Sequence, residues 1–177
     1  MNEDNDASRR LLEATHQATL YCQTVENARE MEKDEFVAIM TDQLPRLYTI
    51  FAGMSAGDVG ALDYGYYQSY VDEEWYESIR RNVEWLLGPE DVFLETFEED
   101  MKYSDTPIAA SISEGLADIF QALYNFVMVV KETDGAESAG AYAECRENFE
   151  TYWSQTLCNV MRALNYLRFN PDAQDKN

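Results

Sequence analysis

One stretch, Ser111 to Lys131, limits the fold more than any other part of the chain. Ile112, Leu116, Ile119, Leu123, Val127 and Val130 recur at spacings of three and four, which places them on one face of an α-helix. Phe120, Tyr124 and Met128 widen that face until more than half the circumference is apolar or amphipathic. Such a helix needs neighbours on most sides and is expected at the centre of a bundle. Ser111 and Glu114 form a capping box at its start, the hydroxyl taking an orphan backbone N–H and the carboxylate reaching back. What is left is a narrow polar stripe: Glu114, Asp118, Gln121 and Asn125. Part of that stripe is buried with the helix, and buried carboxylates need partners. Arg80, Arg81, Arg146 and Arg162 are the candidates for a salt-bridge network along it; a solvated face and a ligand or metal site are the alternatives.

The rest of the chain reads as helices around this one. Leu11, Thr15, Ala18, Cys22 and Val25 mark a first helix over about 8–27, behind a polar, acidic tail at 1–7. Phe36, Met40, Leu44, Leu47 and Phe51 mark a second over 34–53, where Pro45 predicts a kink or two short helices in line. Residues 53–70 are irregular, with four glycines and then Tyr64, Tyr66, Tyr67 and Tyr70. Asp72 is an N-cap for a third helix that turns Val71, Trp75, Ile79, Val83 and Leu86 inward, and Gly88-Pro89 stops it. Residues 90–105 hold seven acids and one lysine around Val92, Phe93, Leu94, Phe97 and Met101; they read as a short helix, with an irregular segment as the alternative. The last helix, over about 137–169, carries Tyr142, Cys145, Phe149, Tyr152, Trp153, Thr156, Val160, Met161, Leu164 and Leu167 on its inner face. At about 1.5 Å per residue it spans on the order of 45 Å. The expectation is one all-α domain over 1–177, ordered over about 8–170, built as a bundle of about five helices with the second kinked at Pro45.

Charge sets the next limit. The chain has 34 acids against 13 bases, a net charge of −21. A surface this negative repels nucleic-acid phosphates and anionic lipid, so neither is expected as a partner. Cys22, Cys145 and Cys158 form no C-x-x-C pair and read as reduced thiols. The start lacks the apolar run of a secretory signal, and the longest apolar run, Phe126 to Val130, is too short for a membrane span. A soluble cytoplasmic protein is expected.

Few constellations carry chemistry. His16 is the only histidine. Glu13-x-x-His16 has the spacing of half a di-iron site, but one chain cannot supply the second pair. The same count removes zinc sites built on Cys and His, and leaves His16 structural or exposed. Carboxylates are the abundant catalytic material. Glu95-x-x-Glu98 followed by Glu114-x-x-x-Asp118 approximates the paired acids with which all-helical nucleotide pyrophosphohydrolases hold magnesium, one residue off in the second pair. Glu32-x-x-Glu35 and Glu147-x-x-Glu150 show how readily such pairs arise among 34 acids, and no basic cluster accompanies them to hold phosphate. Gly-rich phosphate loops and EF-hand loops are absent from the sequence. Tyr64, Tyr66, Tyr67 and Tyr70 pair apolar faces with polar tips, which suits a binding surface; the alternative is a loop whose rings cap the bundle.

Two segments carry a family resemblance: Ile-Ser-Glu-Gly-Leu-Ala-Asp-Ile-Phe-Gln-Ala-Leu at 112–123, and Asn-Phe-Glu-Thr-Tyr-Trp-Ser-Gln-Thr-Leu-Cys-Asn-Val-Met-Arg-Ala-Leu at 148–164. With the Leu86-Leu87-Gly88 stop and the Asp91-Val92-Phe93-Leu94-Glu95 run before them, they resemble a family of bacterial, all-helical proteins catalogued as a domain of unknown function. The resemblance covers roughly residues 10–170 and is loose in the first 60. The chain departs from the family pattern at Gly115 and Ala122, where the pattern is acidic, and at Asn165, where it carries a histidine. The resemblance implies a helical fold and no particular activity.

The functional expectation is a non-enzymatic binding or interaction module without a cofactor, whose partner is a protein or a small ligand. Its contact regions would be Tyr64–Tyr76 and the acidic 90–105 segment. The alternative is a magnesium-dependent hydrolase of a nucleotide or related phosphate compound, using Glu95, Glu98, Glu114 and Asp118.

Overall fold

The structure, a computed structural model, describes residues 2–61, 63–95, 102–103 and 106–170. Helix α1 spans Asn2–Glu26, α2 Lys33–Gly53, α3 Glu73–Leu87 and α4 Ile112–Glu132. Ser138–Asn148, a π turn at Phe149–Trp153 and Ser154–Phe169 run on as one rod, α5. Between α3 and α4 lies a two-stranded antiparallel ribbon of β1 (Val92–Glu95) and β2 (Ile108–Ser111), with Val92 opposite Ser111 and Glu95 opposite Ile108. The fold is otherwise all-α, as its periodicity requires.

Helix α4 is the centre. It packs against α1, α3 and both halves of α5, while α2 lies against α1 and the last part of α5. Ile112, Leu116, Ile119 and Leu123 are fully buried, and so are Ala117 and Phe120 beside them. Its N-terminus is capped from two elements. Ser111 Oγ accepts from the Glu114 amide at 3.2 Å. The second cap is the carboxylate of Asp91, which accepts from the Ser113 amide at 2.7 Å and from the Ser113 hydroxyl at 2.6 Å. Asp91 is buried, and desolvation raises its pKa against the lowering effect of these two bonds.

Two polar tips reach deep carbonyls. Tyr21 Oη donates to Leu116 O at 2.8 Å, and Tyr142 Oη donates to Met54 O at 2.8 Å. Phe51 gathers the aromatic core, with Trp153 at 4.9 Å between ring centroids, Tyr142 at 5.1 Å and Phe149 at 5.9 Å. The π turn holds Phe149 and Trp153 in this cluster, and Trp153 Nε1 donates to Cys145 O at 3.3 Å. The three cysteines are unbonded, with Cys22 and Cys145 buried and Cys158 exposed. Among the described residues no helix is long and apolar enough to cross a membrane.

Two expectations need correction, and at Pro45 one of two alternatives is decided. Helix α1 begins at Asn2, so the polar tail is helical. Early acids suit a helix N-terminus, and Asp6 pairs with Arg9 and Arg10 at 2.7 Å each. Helix α2 passes through Pro45 as one helix and does not divide in two. Pro45 is exposed, and one turn earlier the Thr41 hydroxyl donates to Val37 O at 2.9 Å and accepts from Arg168 of α5 at 2.7 Å. After a 3-10 turn at Gly88–Asp91, residues 92–95 form a strand in place of the expected short helix. Val92 and Leu94 face out, Phe93 and Glu95 face in, and the alternation is a strand's. Phe97, Glu98 and Met101 lie outside the described residues.

Gly115 sets the spacing of α4 and α5. A methyl group built on it would sit 2.4 Å from Val160 Cγ1 and 3.2 Å from Thr156 Cγ2. Alanine gains roughly 1 kcal/mol in helix propensity, so any net loss reports the clash directly. Gly115→Ala is expected to lower stability by about 1–3 kcal/mol in urea unfolding. Val160→Ala in the same chain should relieve the clash, leaving a non-additive coupling of roughly 0.5–3 kcal/mol. Strictly additive losses would show that the two helices do not meet there.

Candidate functional site

The polar stripe of α4 is satisfied by tyrosines and backbone, not by arginines. Asp118 is half-buried; its Oδ1 accepts from Tyr76 Oη of α3 and its Oδ2 from Tyr152 Oη of α5, both at 2.7 Å. Asn125 Oδ1 accepts from the Tyr70 amide at 2.8 Å. Glu114 is exposed and Gln121 half-buried. The arginines expected here are taken by nearer acceptors. Arg80 pairs with Glu77 at 3.2 Å and Glu84 at 3.0 Å, and Arg81 with Glu77 at 3.7 Å. Arg146 pairs with Glu150 at 2.6 Å and donates to Met54 O. Arg162 donates to Leu94 O at 2.5 Å and lies over the Phe93 ring, which fastens the ribbon to α5. A partner one helical turn away costs less side-chain order than one on another helix.

At the N-terminal end of the stripe a cleft of about 380 Å³ opens between α4, the inner face of the ribbon and the middle of α5. Glu95, Glu114 and Asp118 line it, so the fold brings together three of the four carboxylates predicted as catalytic candidates. The fourth, Glu98, lies outside the described residues. Tyr152, Gln155 and Asn159 complete the polar wall, and Phe93 lies on the ribbon side. Among the described residues no Lys, Arg or His is in the lining. Among the described residues no three Asp, Glu, His or Cys side chains stand close enough to hold a metal ion. Partial burial and the bond to Asp118 push the Tyr152 phenol up to about 12, and the same two causes raise Tyr76 further. Both therefore stay protonated and hold Asp118 as an acceptor.

The tyrosine-rich segment crosses α4 and α5 as a strap. Tyr64 Oη donates to Glu147 at 2.6 Å and Tyr67 Oη to Glu137 at 2.8 Å, both on or just before α5. Tyr70 is held through its amide by Asn125. Tyr66, 92% exposed, is the most open of the four. Of the four tyrosines predicted to bind, two tether the fold through their hydroxyls and Tyr70 does so through its backbone. Tyr76, Tyr152, Gln155 and Asn159 escaped the sequence reading because each acts across a helix-to-helix contact that no one-dimensional spacing displays. Lone His16 is exposed, as anticipated.

A family model described as "Domain of unknown function (DUF5063)" matches residues 5–170. Among solved structures the chain is similar to protein BF1032 from Bacteroides fragilis, at 28% identity and a TM-score of 0.77, covering 93% of this chain and 96% of that one. No curated protein matches.

The tethers set an alkaline limit. The bond to Glu147 raises Tyr64 from 10.0 to about 12; burial, then the bond to Glu137, raise Tyr67 from 10.0 to about 12. Both are higher folded than unfolded, so their stabilisation is whole below pH 10 and is lost as pH rises through about 12. Absorbance titration of tyrosinate should show late-ionising phenols in the folded protein. Glu147→Gln should bring one of them forward towards 10.0. An unchanged titration curve would mean that the Tyr64 tether is not made in solution.

Proposed function

Since the chain belongs to this family of unknown function, its own geometry has to carry the reading, and from that geometry we propose a non-catalytic binding module whose first cleft takes an organic cation. The cation is the ammonium or guanidinium group of a small amine or of a partner's basic side chain. One observation carries this: a concave site lined by three carboxylates and no base. At a net charge of −21 the long-range field draws cations in and turns phosphates and anionic lipid away. Within the cleft, the exposed Glu114 offers a carboxylate acceptor, Gln155 and Asn159 neutral ones, and the Tyr152 ring a face to a cation.

The competing reading is magnesium-dependent hydrolysis, favoured by Glu95, Glu114 and Asp118 sharing one cleft. Magnesium demands oxygens at about 2.0–2.1 Å in near-octahedral order. An organic cation is satisfied by acceptors spread at hydrogen-bond distance, and this suits carboxylates that line a cleft without converging.

Thermal unfolding separates the two. Agmatine, n-butylamine and magnesium are added in turn at matched ionic strength, because any ion screens a charge this large. Saturation at about 100 times the dissociation constant adds roughly 2.7 kcal/mol, a midpoint rise of several degrees for a chain of this size. Agmatine or n-butylamine should raise the midpoint, and Glu114→Gln, an exposed position, should weaken binding roughly tenfold, about 1.4 kcal/mol. A shift specific to magnesium and lost in Glu114→Gln would favour the hydrolase. No shift from either amine beyond matched sodium chloride would overturn the cation reading.

A further inference from the structure

Another cavity lies under the tyrosine strap and shares no lining residue with the first cleft. It measures about 420 Å³. We infer that it is a binding site for a neutral, hydroxyl-rich ligand of saccharide type.

The cavity is built into the fold. Its roof is the strap, fixed by Tyr64 on Glu147, Tyr67 on Glu137 and the Tyr70 amide on Asn125. Gly140 on α5 makes this approach possible, because a methyl group there would sit 2.2 Å from Tyr67 Oη and 3.3 Å from Tyr64 Cβ. The space therefore exists before any ligand arrives, which removes much of the ordering cost of binding. Its volume falls in the range of roughly 300–1,000 Å³ usual for small-molecule sites.

The lining selects the chemistry. Its polar members include the amides of Gln68, Asn125 and Asn148, the carboxylates of Glu144 and Glu147, the Ser69 hydroxyl, and the Tyr66 and Tyr67 phenols. Among the described residues no Lys, Arg or His lines it, so no described base there answers a phosphate or a carboxylate. The two carboxylates are already engaged, Glu147 by the Tyr64 hydroxyl and Glu144 by the Tyr67 amide, and burial raises the Glu144 pKa. That blunts the pull on a cation. The Gln68 and Asn148 amides and the Tyr66 hydroxyl make no hydrogen bond within the described fold, and each of them can both give and accept. An ammonium ion can only donate and would leave amide N–H groups unanswered; an apolar ligand would leave all of them unanswered. A sugar hydroxyl donates and accepts at once and meets both needs. The apolar C–H face of a pyranose ring has a partner in the Tyr66 ring, 92% exposed and already turned out of the core.

The test is saturation-transfer NMR on the full chain with glucose, galactose, mannose and N-acetylglucosamine, beside n-butylamine. Tyr66→Ala and Asn148→Ala change exposed side chains that hold none of the tethers, so both variants should fold with an unchanged unfolding midpoint. The expected result is transfer to the ring protons of at least one sugar, with affinity falling tenfold or more in each variant. Glu114→Gln should leave that signal intact, which keeps this site separate from the cation cleft. No transfer to any of the four sugars would overturn the inference. So would transfer that survives both substitutions, or n-butylamine binding that Asn148→Ala abolishes.

Discussion

A helix buried over most of its circumference has one narrow stripe on which to place polar groups, and the arrangement around α4 follows from how that stripe is answered. Asp118 sits where α3, α4 and α5 meet. Half-buried there, it would cost several kcal/mol if left unanswered. Its two oxygens take one phenol from each flanking helix, Tyr76 and Tyr152. These two bonds fix how α3 and α5 flank α4. Gly115, one turn earlier, lets α5 come in closely at Val160, and Asp91 holds the helix start from the far side through Ser113. The cleft is the space left where the ribbon, held by Arg162, cannot follow this close approach.

Much of this framework is written in local pattern. Ser111 caps α4, Asp72 caps α3 through the Trp75 amide, and Gly88 ends α3 in the left-handed half of backbone space; each signal acts within a turn or two and was legible as such. The inner face of α2 was legible for the same reason, since Phe36, Met40, Leu44, Leu47 and Phe51 are all fully buried. What stayed hidden depends on contacts distant in sequence. The run Val92-Phe93-Leu94 has no helical or strand identity until Ile108–Ser111 pairs with it. The π turn at Phe149–Trp153 answers the shape of the core around Phe51, and the helical spacing carries no trace of it. It also explains why Tyr152, assigned to the inner face by a regular period, turns out towards Asp118. The carboxylates Glu95, Glu114 and Asp118 could be picked out by spacing, but only the ribbon's fold decides that the first joins the other two.

The choice of phenols over guanidinium groups has an electrostatic consequence. With 13 bases among 34 acids, this chain has few cations to place inside, and most of its described arginines pair with acids one turn away. Tyrosine supplies a hydrogen-bond donor without a compensating charge. Asp118, Glu137 and Glu147 are thus satisfied as acceptors while their negative charge is left in place. An arginine in the same position would have closed the stripe both as a bonding problem and as a field. The phenols close only the first. The clefts at the two ends of the stripe therefore keep a negative surround and still hold polar groups with bonding capacity to spare. In the first cleft three carboxylates dominate, and the proposed occupant is a cation. In the second, amides outnumber the carboxylates and both carboxylates are already engaged, so hydrogen-bond matching selects a hydroxyl-rich ligand. One structural decision, to pair acids at the helix contacts with tyrosine and not arginine, links how α4 is flanked to the charge its clefts keep.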